Sequence, residues 1–161
     1  RAENTLLESR GSSIAHASLP LSEARIFRDL SSDDLTRIAG LLEERMLKAG
    51  EVLFGEGDPV DGLYVIDSGQ ISINIRDLAG IPRRIAAFTP GTIIGEIAFV
   101  EGGTRSALAR AEEASRLWLL RPRALTDLER EDPRLVHLVM ANIAREIAGR
   151  LRTTTLALRQ R

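Results

Sequence analysis

The chain has 161 residues, 43% hydrophobic and 28% charged, which suits one globular domain and excludes a multidomain enzyme or a wholly disordered chain. Its formal charge of −1, with 21 arginines among 22 cationic residues, provides no overall basic field for holding a nucleic-acid backbone. Cysteine is absent and the two histidines are His16 and His137, so disulfides, thiolate metal sites and a cysteine nucleophile are excluded, and neither histidine stands in ligand or triad spacing.

Residues 1–20, with Gly11-Ser12-Ser13 and Pro20, read as a linker or the end of a preceding domain; residues 21–161 form the domain proper. Residues 22–30 suit one short helix. Ser31, Ser32, Asp33 and Asp34 supply cap hydroxyls and first-turn acids for a second, in which Leu35, Ile38, Leu41 and Leu42 recur at helical spacing to about Glu44.

From Gly50 the period changes to two, and short apolar runs alternate with glycine-bearing turns. Strands are expected over 62–66 and over 71–76, where Ile71, Ile73 and Ile75 alternate with Ser72, Asn74 and Arg76. Pairing continues over 84–88, 92–94, 106–111 and 116–120. Seven or eight short strands over about 46–121 point to a mainly β sandwich or jelly roll.

The helical period returns after Pro122, first over 125–130 and then from Pro133 to the end, giving C-terminal helices over about 123–161. Met140, Ala144, Ile147, Leu151, Thr154 and Leu158 form a heptad stripe. It serves either to pack the helix on its own barrel or to pair with a second copy as a homodimer. The arginines of this region, Arg145, Arg150, Arg152, Arg159 and Arg161, read as a solvated helix face complementing the macrodipole.

The stretch richest in chemistry is Gly95-Glu96-Ile97-Ala98-Phe99-Val100-Glu101-Gly102-Gly103-Thr104-Arg105-Ser106-Ala107, between two predicted strands. Gly95 lets backbone approach a ligand, and residues 97–100 make one helical turn whose free N–H groups face an anion. Glu96 accepts from a hydroxyl, while the Arg105 fork fits two phosphate oxygens. One acceptor and one cation suit a sugar phosphate.

These thirteen residues resemble the phosphate-binding cassette of the cyclic nucleotide-binding domain family. Lys48-Ala49-Gly50-Glu51-Val52-Leu53-Phe54, Glu56-Gly57-Asp58 and Gly62-Leu63-Tyr64-Val65-Ile66-Asp67-Ser68-Gly69 are similar to the family's opening strands. The resemblance implies an eight-stranded β-roll with N-terminal helices and a long C-terminal helix, the ligand lying between the cassette and that helix. It also implies Glu96 at the ribose 2′-hydroxyl, Arg105 at the cyclic phosphate, backbone groups from Gly95, Ile97 and Ala98, and Ser106 assisting at the phosphate. Ala107 completes the Arg-Ser-Ala entry to the next strand. Thr104 stands where the family often has proline, and Glu101 adds a negative charge near the anion site.

By this resemblance the domain is a sensor rather than an enzyme, needs no cofactor, and takes cyclic AMP in preference to cyclic GMP. DNA reading is not expected of these residues, since no DNA-binding domain is read within this chain. The first residue is Arg rather than Met, and Arg1-Ala2-Glu3-Asn4-Thr5-Leu6-Leu7 looks like the junction after a STAS domain. The expected parent is therefore a bacterial sulfate-permease-type transporter or a glutaminase fusion. No apolar run approaches the roughly 18 residues of a membrane span and no signal sequence opens the chain, so this part is expected in the cytoplasm. The alternative is a ligand-free interaction or dimerisation module in which Glu96 and Arg105 pair with each other. A cupin-type metalloenzyme is disfavoured by the shortage of histidine.

Overall fold

The computed structural model describes residues 20–160. The expectations for residues 1–19, including the STAS-like stretch and His16, and for Arg161 lie outside the described residues.

Eight strands form two antiparallel sheets of four. Glu43–Leu47 (β1), Leu63–Ser68 (β3), Ile93–Ile94 (β6) and Ser115–Leu120 (β8) build one, in the order β1-β8-β3-β6. Val52–Phe54 (β2), Ile71–Arg76 (β4), Pro82–Phe88 (β5) and Leu108–Ala111 (β7) build the other, in the order β2-β7-β4-β5. The fold is the eight-stranded β-roll expected, with strands spanning 43–120.

The apolar side chains divide between two cores. Tyr64, Ile66, Ile71, Ala109, Leu117 and Leu119 belong to one formed by the strands, whereas Leu63, Val65 and Leu120 join the helices. Strand β3 thus contributes to both, and all six of its residues are buried. A strand covered on both faces needs apolar residues at successive positions, which is why Leu63-Tyr64-Val65-Ile66 shows no alternation.

Four helices flank the roll: Ser32–Ala39 (α1), Glu96–Glu101 (α2), Pro122–Glu131 (α3) and Pro133–Arg159 (α4). A capping box between Ser31 and Asp34 starts α1, and Asp34 also holds Arg134 at 2.6 Å. Asp132 caps α4 by accepting from the Leu135 N–H, and accepts from Arg37 at 2.7 Å. Leu135, Val139 and Ile143 of α4 share a core with Ile26 and Phe27, so the first half of α4 is anchored. None of the described helices is long and apolar enough to cross a membrane.

Two helix boundaries differ from the sequence reading. Residues 22–30 are not one helix but two 3-10 turns, Leu21–Glu23 and Arg25–Phe27, followed by Asp29 at φ 65°. Tertiary partners hold this backbone: buried Asn142 donates to the carbonyls of Ile26 and Arg28 at 3.0 and 2.8 Å, and the Arg25 N–H donates to Gly91. The second helix stops at Ala39 instead of continuing to Glu44, because residues 43–47 pair with β8 in the register Glu43↔Leu119 to Leu47↔Ser115. Glu44 meets Arg116 at 3.3 Å and Glu43 pairs with Arg121, so cross-strand charge pairing accompanies this ladder.

The heptad stripe is also divided. Met140 and Ile147 pack against the helical core, whereas Ala144, Leu151, Thr154 and Leu158 are exposed. Packing on the chain's own barrel therefore accounts for only part of the stripe.

Candidate functional site

A cavity of about 610 Å³ opens between the roll, α2 and the second half of α4. Gly95, Glu96, Ile97, Ala98, Arg105, Ser106 and Ala107 all line it. Glycines delimit the cassette helix: Gly95 precedes α2 at φ 78°, ψ 17°, and Gly102 and Gly103 follow it at φ 77° and 92°. Left-handed backbone at these positions favours glycine. The walls are largely apolar, and the charged lining groups are two guanidiniums, Arg105 and Arg150, against one carboxylate, Glu96.

Arg105 is 2% exposed, and its backbone and side chain are held by different segments. Its N–H donates to Asp58 at 2.9 Å, and its carbonyl accepts from the Gly57 N–H at 2.8 Å. Its Nη2 donates to Asp61 Oδ1 and to the Gly62 carbonyl, both at 2.7 Å, and Nη1 donates to the Gly95 carbonyl at 3.2 Å. The guanidinium lies 4.2 Å from the Phe54 ring centroid. Nε has no partner among the described residues. A buried cation is tolerated because a carboxylate, two carbonyls and an aromatic face replace its hydration.

Asp61 is the counterion in this arrangement. Burial pushes its carboxyl up, but hydrogen bonds from the Tyr64 hydroxyl and the Arg105 guanidinium outweigh that and hold it below the usual carboxylate range. Burial and the neighbouring Asp61 raise the Tyr64 phenol well above its ordinary value, so Tyr64 remains a donor.

Gly95 has a further role that the sequence does not reveal. A Cβ at this position would stand 2.3 Å from Arg105 Nη1. The missing side chain therefore makes room for the guanidinium as well as leaving open space at the cavity wall.

Glu96 and Arg105 do not pair with each other. Glu96 Oε1 lies 2.7 Å from Arg150 Nη1, whereas Arg105 pairs with Asp61. The contact on which the ligand-free alternative depends is thus replaced by two separate ion pairs.

Arg150 corrects the reading of the C-terminal arginines as a solvated face. Its guanidinium lies 4.4 Å from the Phe88 ring centroid and donates to the Ile93 carbonyl. Sequence contained a usable signal: Arg150 follows Ile147 by three residues and precedes Thr154 by four, so it lies on the side of the helix that carries the stripe. Phe54, Phe88 and Asp61 were also missed, being strand-end or loop residues that topology brings together. Thr104 forms an isolated bridge with Pro59, and Glu101 is exposed and outside the lining.

The sequence profile described as Cyclic nucleotide-binding domain matches residues 44–132. Glutaminase 1 of Bradyrhizobium diazoefficiens is 32% identical over 154 residues, covering 93% of this chain and 24% of that protein. The Cyclic AMP receptor protein of Thermus thermophilus is 30% identical over 133 residues, covering 83% of this chain and 60% of that protein. The chain therefore spans about a quarter of one relative and three fifths of the other. A solved cyclic nucleotide-binding domain from Methylobacillus flagellatus aligns with a TM-score of 0.76 at 25% identity, over 83% of this chain and 75% of that one. With a profile match across more than half its length and a roll of the same architecture, the chain belongs to the cyclic nucleotide-binding domain family.

Proposed function

We propose that the cavity binds a cyclic nucleotide, cyclic AMP in preference to cyclic GMP, with the phosphate at Arg105 and the ribose 2′-hydroxyl at Glu96. Gly95, Ile97 and Ala98 contribute backbone groups, and Ser106 assists at the phosphate. The observation that carries this reading is the convergence of Arg105 and Glu96 on one apolar-walled cavity, each oriented by its own counterion. The two lining guanidiniums, each paired with one carboxylate, Arg105 with Asp61 and Arg150 with Glu96, can still donate hydrogen bonds to an anionic ligand, and about 610 Å³ falls within the roughly 300–1,000 Å³ of small-molecule sites. Three of the five N–H groups of Arg105 are spent on protein acceptors, and the unpartnered Nε is one of the two left for a phosphate oxygen.

Occupancy is relayed through α4 to an adjoining transporter or enzyme domain. The likeness to a glutaminase of which this chain spans 24% supports such a linked arrangement. The domain itself is a sensor and not a catalyst: its lining carboxylate is held by a guanidinium and so is poorly placed to activate the Ser106 or Thr154 hydroxyl. The preference for cyclic AMP is supported by the likeness to the Cyclic AMP receptor protein of Thermus thermophilus and by Arg105-Ser106-Ala107.

Calorimetric titration with cyclic AMP and cyclic GMP tests the reading. Trp118 is a poor reporter, since it stands under Arg116 and outside the cavity lining. Tighter binding of cyclic AMP is expected, and Arg105→Ala should weaken it by at least about a hundredfold, as loss of a buried charge-assisted anchor implies. Absence of binding at millimolar nucleotide overturns the proposal. Unchanged affinity in Arg105→Ala would move the phosphate elsewhere.

A further inference from the structure

A second cavity, of about 320 Å³, is lined by Arg25, Arg28, Asn142, Arg145 and Glu146, none of which lines the larger one. Three guanidiniums here meet a single carboxylate. Arg25 takes that carboxylate, Glu146, at 3.1 Å, so no other lining acid is left for Arg28 or Arg145. Like charges repel, and the fold rather than mutual attraction must hold this group together.

Asn142 does so. Its side chain is 2% exposed; the amide nitrogen donates to the Ile26 and Arg28 carbonyls at 3.0 and 2.8 Å, and the oxygen accepts from Arg145 Nη1 at 2.8 Å. Both amide protons are spent on backbone, which turns the oxygen toward Arg145. One buried amide thus ties Arg145 of α4 to the turn that carries Arg25 and Arg28. That turn is set in its own right, because the Arg25 N–H donates to Gly91 at 3.1 Å and Asp29 closes it at φ 65°.

Arg28 enters the described hydrogen bonds only through its backbone, so its guanidinium keeps all its donors, and Arg145 spends one of its own on Asn142. Two planar forks without a counterion match an anion with two charges and several oxygens, as in a phosphate monoester. The cavity stands near the lower end of the roughly 300–1,000 Å³ of ligand sites, which suits a compact group.

We infer that this cavity is a second ligand site, one that takes a phosphate monoester dianion, with Arg28 and Arg145 gripping its oxygens and Asn142 orienting Arg145. The phosphate arrives either on a soluble metabolite or on a lipid headgroup, and the recognition chemistry is the same for both. This site stands independently of the nucleotide reading.

The test is calorimetric titration of the full chain with glycerol phosphate at about pH 7.5, where a monoester with a second pKa near 6 is a dianion. The wild type should bind with a dissociation constant of about 1 mM or below, and methyl sulfate, with one charge, about tenfold more weakly. Arg28→Gln and Arg145→Gln should each weaken glycerol phosphate by about tenfold or more, the scale of a hydrogen bond to a charged group. Glu146→Gln should tighten it by about threefold or more by freeing Arg25, a gain that misfolding does not produce. Sedimentation with phosphatidylcholine vesicles, with and without phosphatidic acid, assigns the source. Retention of the wild type but not of Arg28→Gln by phosphatidic acid points to a lipid; glycerol phosphate binding without retention points to a soluble phosphate. Unchanged affinity in Arg28→Gln, whose side chain has no described contact to lose, overturns the inference. So does failure to bind either probe, or a loss confined to Arg150→Gln, which would put the phosphate in the larger cavity.

Discussion

At the scale of single residues, the site depends on a guanidinium buried beside its own acid. Gly95→Ala places a methyl group where Arg105 Nη1 now lies and forces a left-handed alanine. The expected outcome is a loss of about 1–3 kcal/mol in urea unfolding and a nucleotide affinity reduced by about tenfold or more; wild-type stability would show that Arg105 has another low-energy position. Asp61 makes the site sensitive to acid. Its folded-state pKa lies below the unfolded value, so its contribution is present above the unfolded pKa of about 3.9 and is lost as pH falls through the folded value. The thermal midpoint should decline below about pH 4 more steeply in the wild type than in Asp61→Asn; equal slopes would assign the acid loss to other carboxylates. Glu96 and Arg105 were legible in sequence because thirteen contiguous residues contain them. Asp61 was not, because its role depends on a contact across 44 positions.

Among the elements, α4 carries two functions along one helix. Its first half is a packed stem, with Leu135, Val139 and Ile143 buried, and its second half supplies Ile147, Arg150, Leu151 and Thr154 to the cavity wall. Leu151 and Leu158 remain 67% and 66% exposed. Large apolar side chains repeated along one exposed stripe favour pairing with a second copy. Sedimentation should therefore give a dimer mass for the wild-type chain and a monomer mass for Leu151→Glu/Leu158→Glu; a monomeric wild type would remove this role. The heptad was readable from spacing, but spacing does not tell where the chain's own core stops covering a helix. The same limit explains the boundary after α1: Leu41 and Leu42 continue a helical pattern, yet Glu43 and Glu44 find arginine partners only when β8 lies alongside.

For the molecule as a whole, sensing requires that a ligand prefer one arrangement of α4 over another, since binding shifts an equilibrium only by its differential affinity. The stem is fixed to Ile26 and Phe27, and the far half meets the cassette through Arg150. Saturating cyclic AMP should therefore slow amide hydrogen exchange in residues 147–158 while leaving residues 135–143 nearly unchanged; uniform protection of the helix would argue against a divided stem and lid. The sequence alone determined the strand-rich centre, the terminal helices and the cassette, because period, glycine turns and contiguous motifs are local properties of the chain. Only tertiary structure decided that Arg105 is held by Asp61, Glu96 by Arg150, and residues 43–47 by β8. Each of these depends on a partner distant along the chain, and their proximity comes from burying two cores around β3, which no local pattern records.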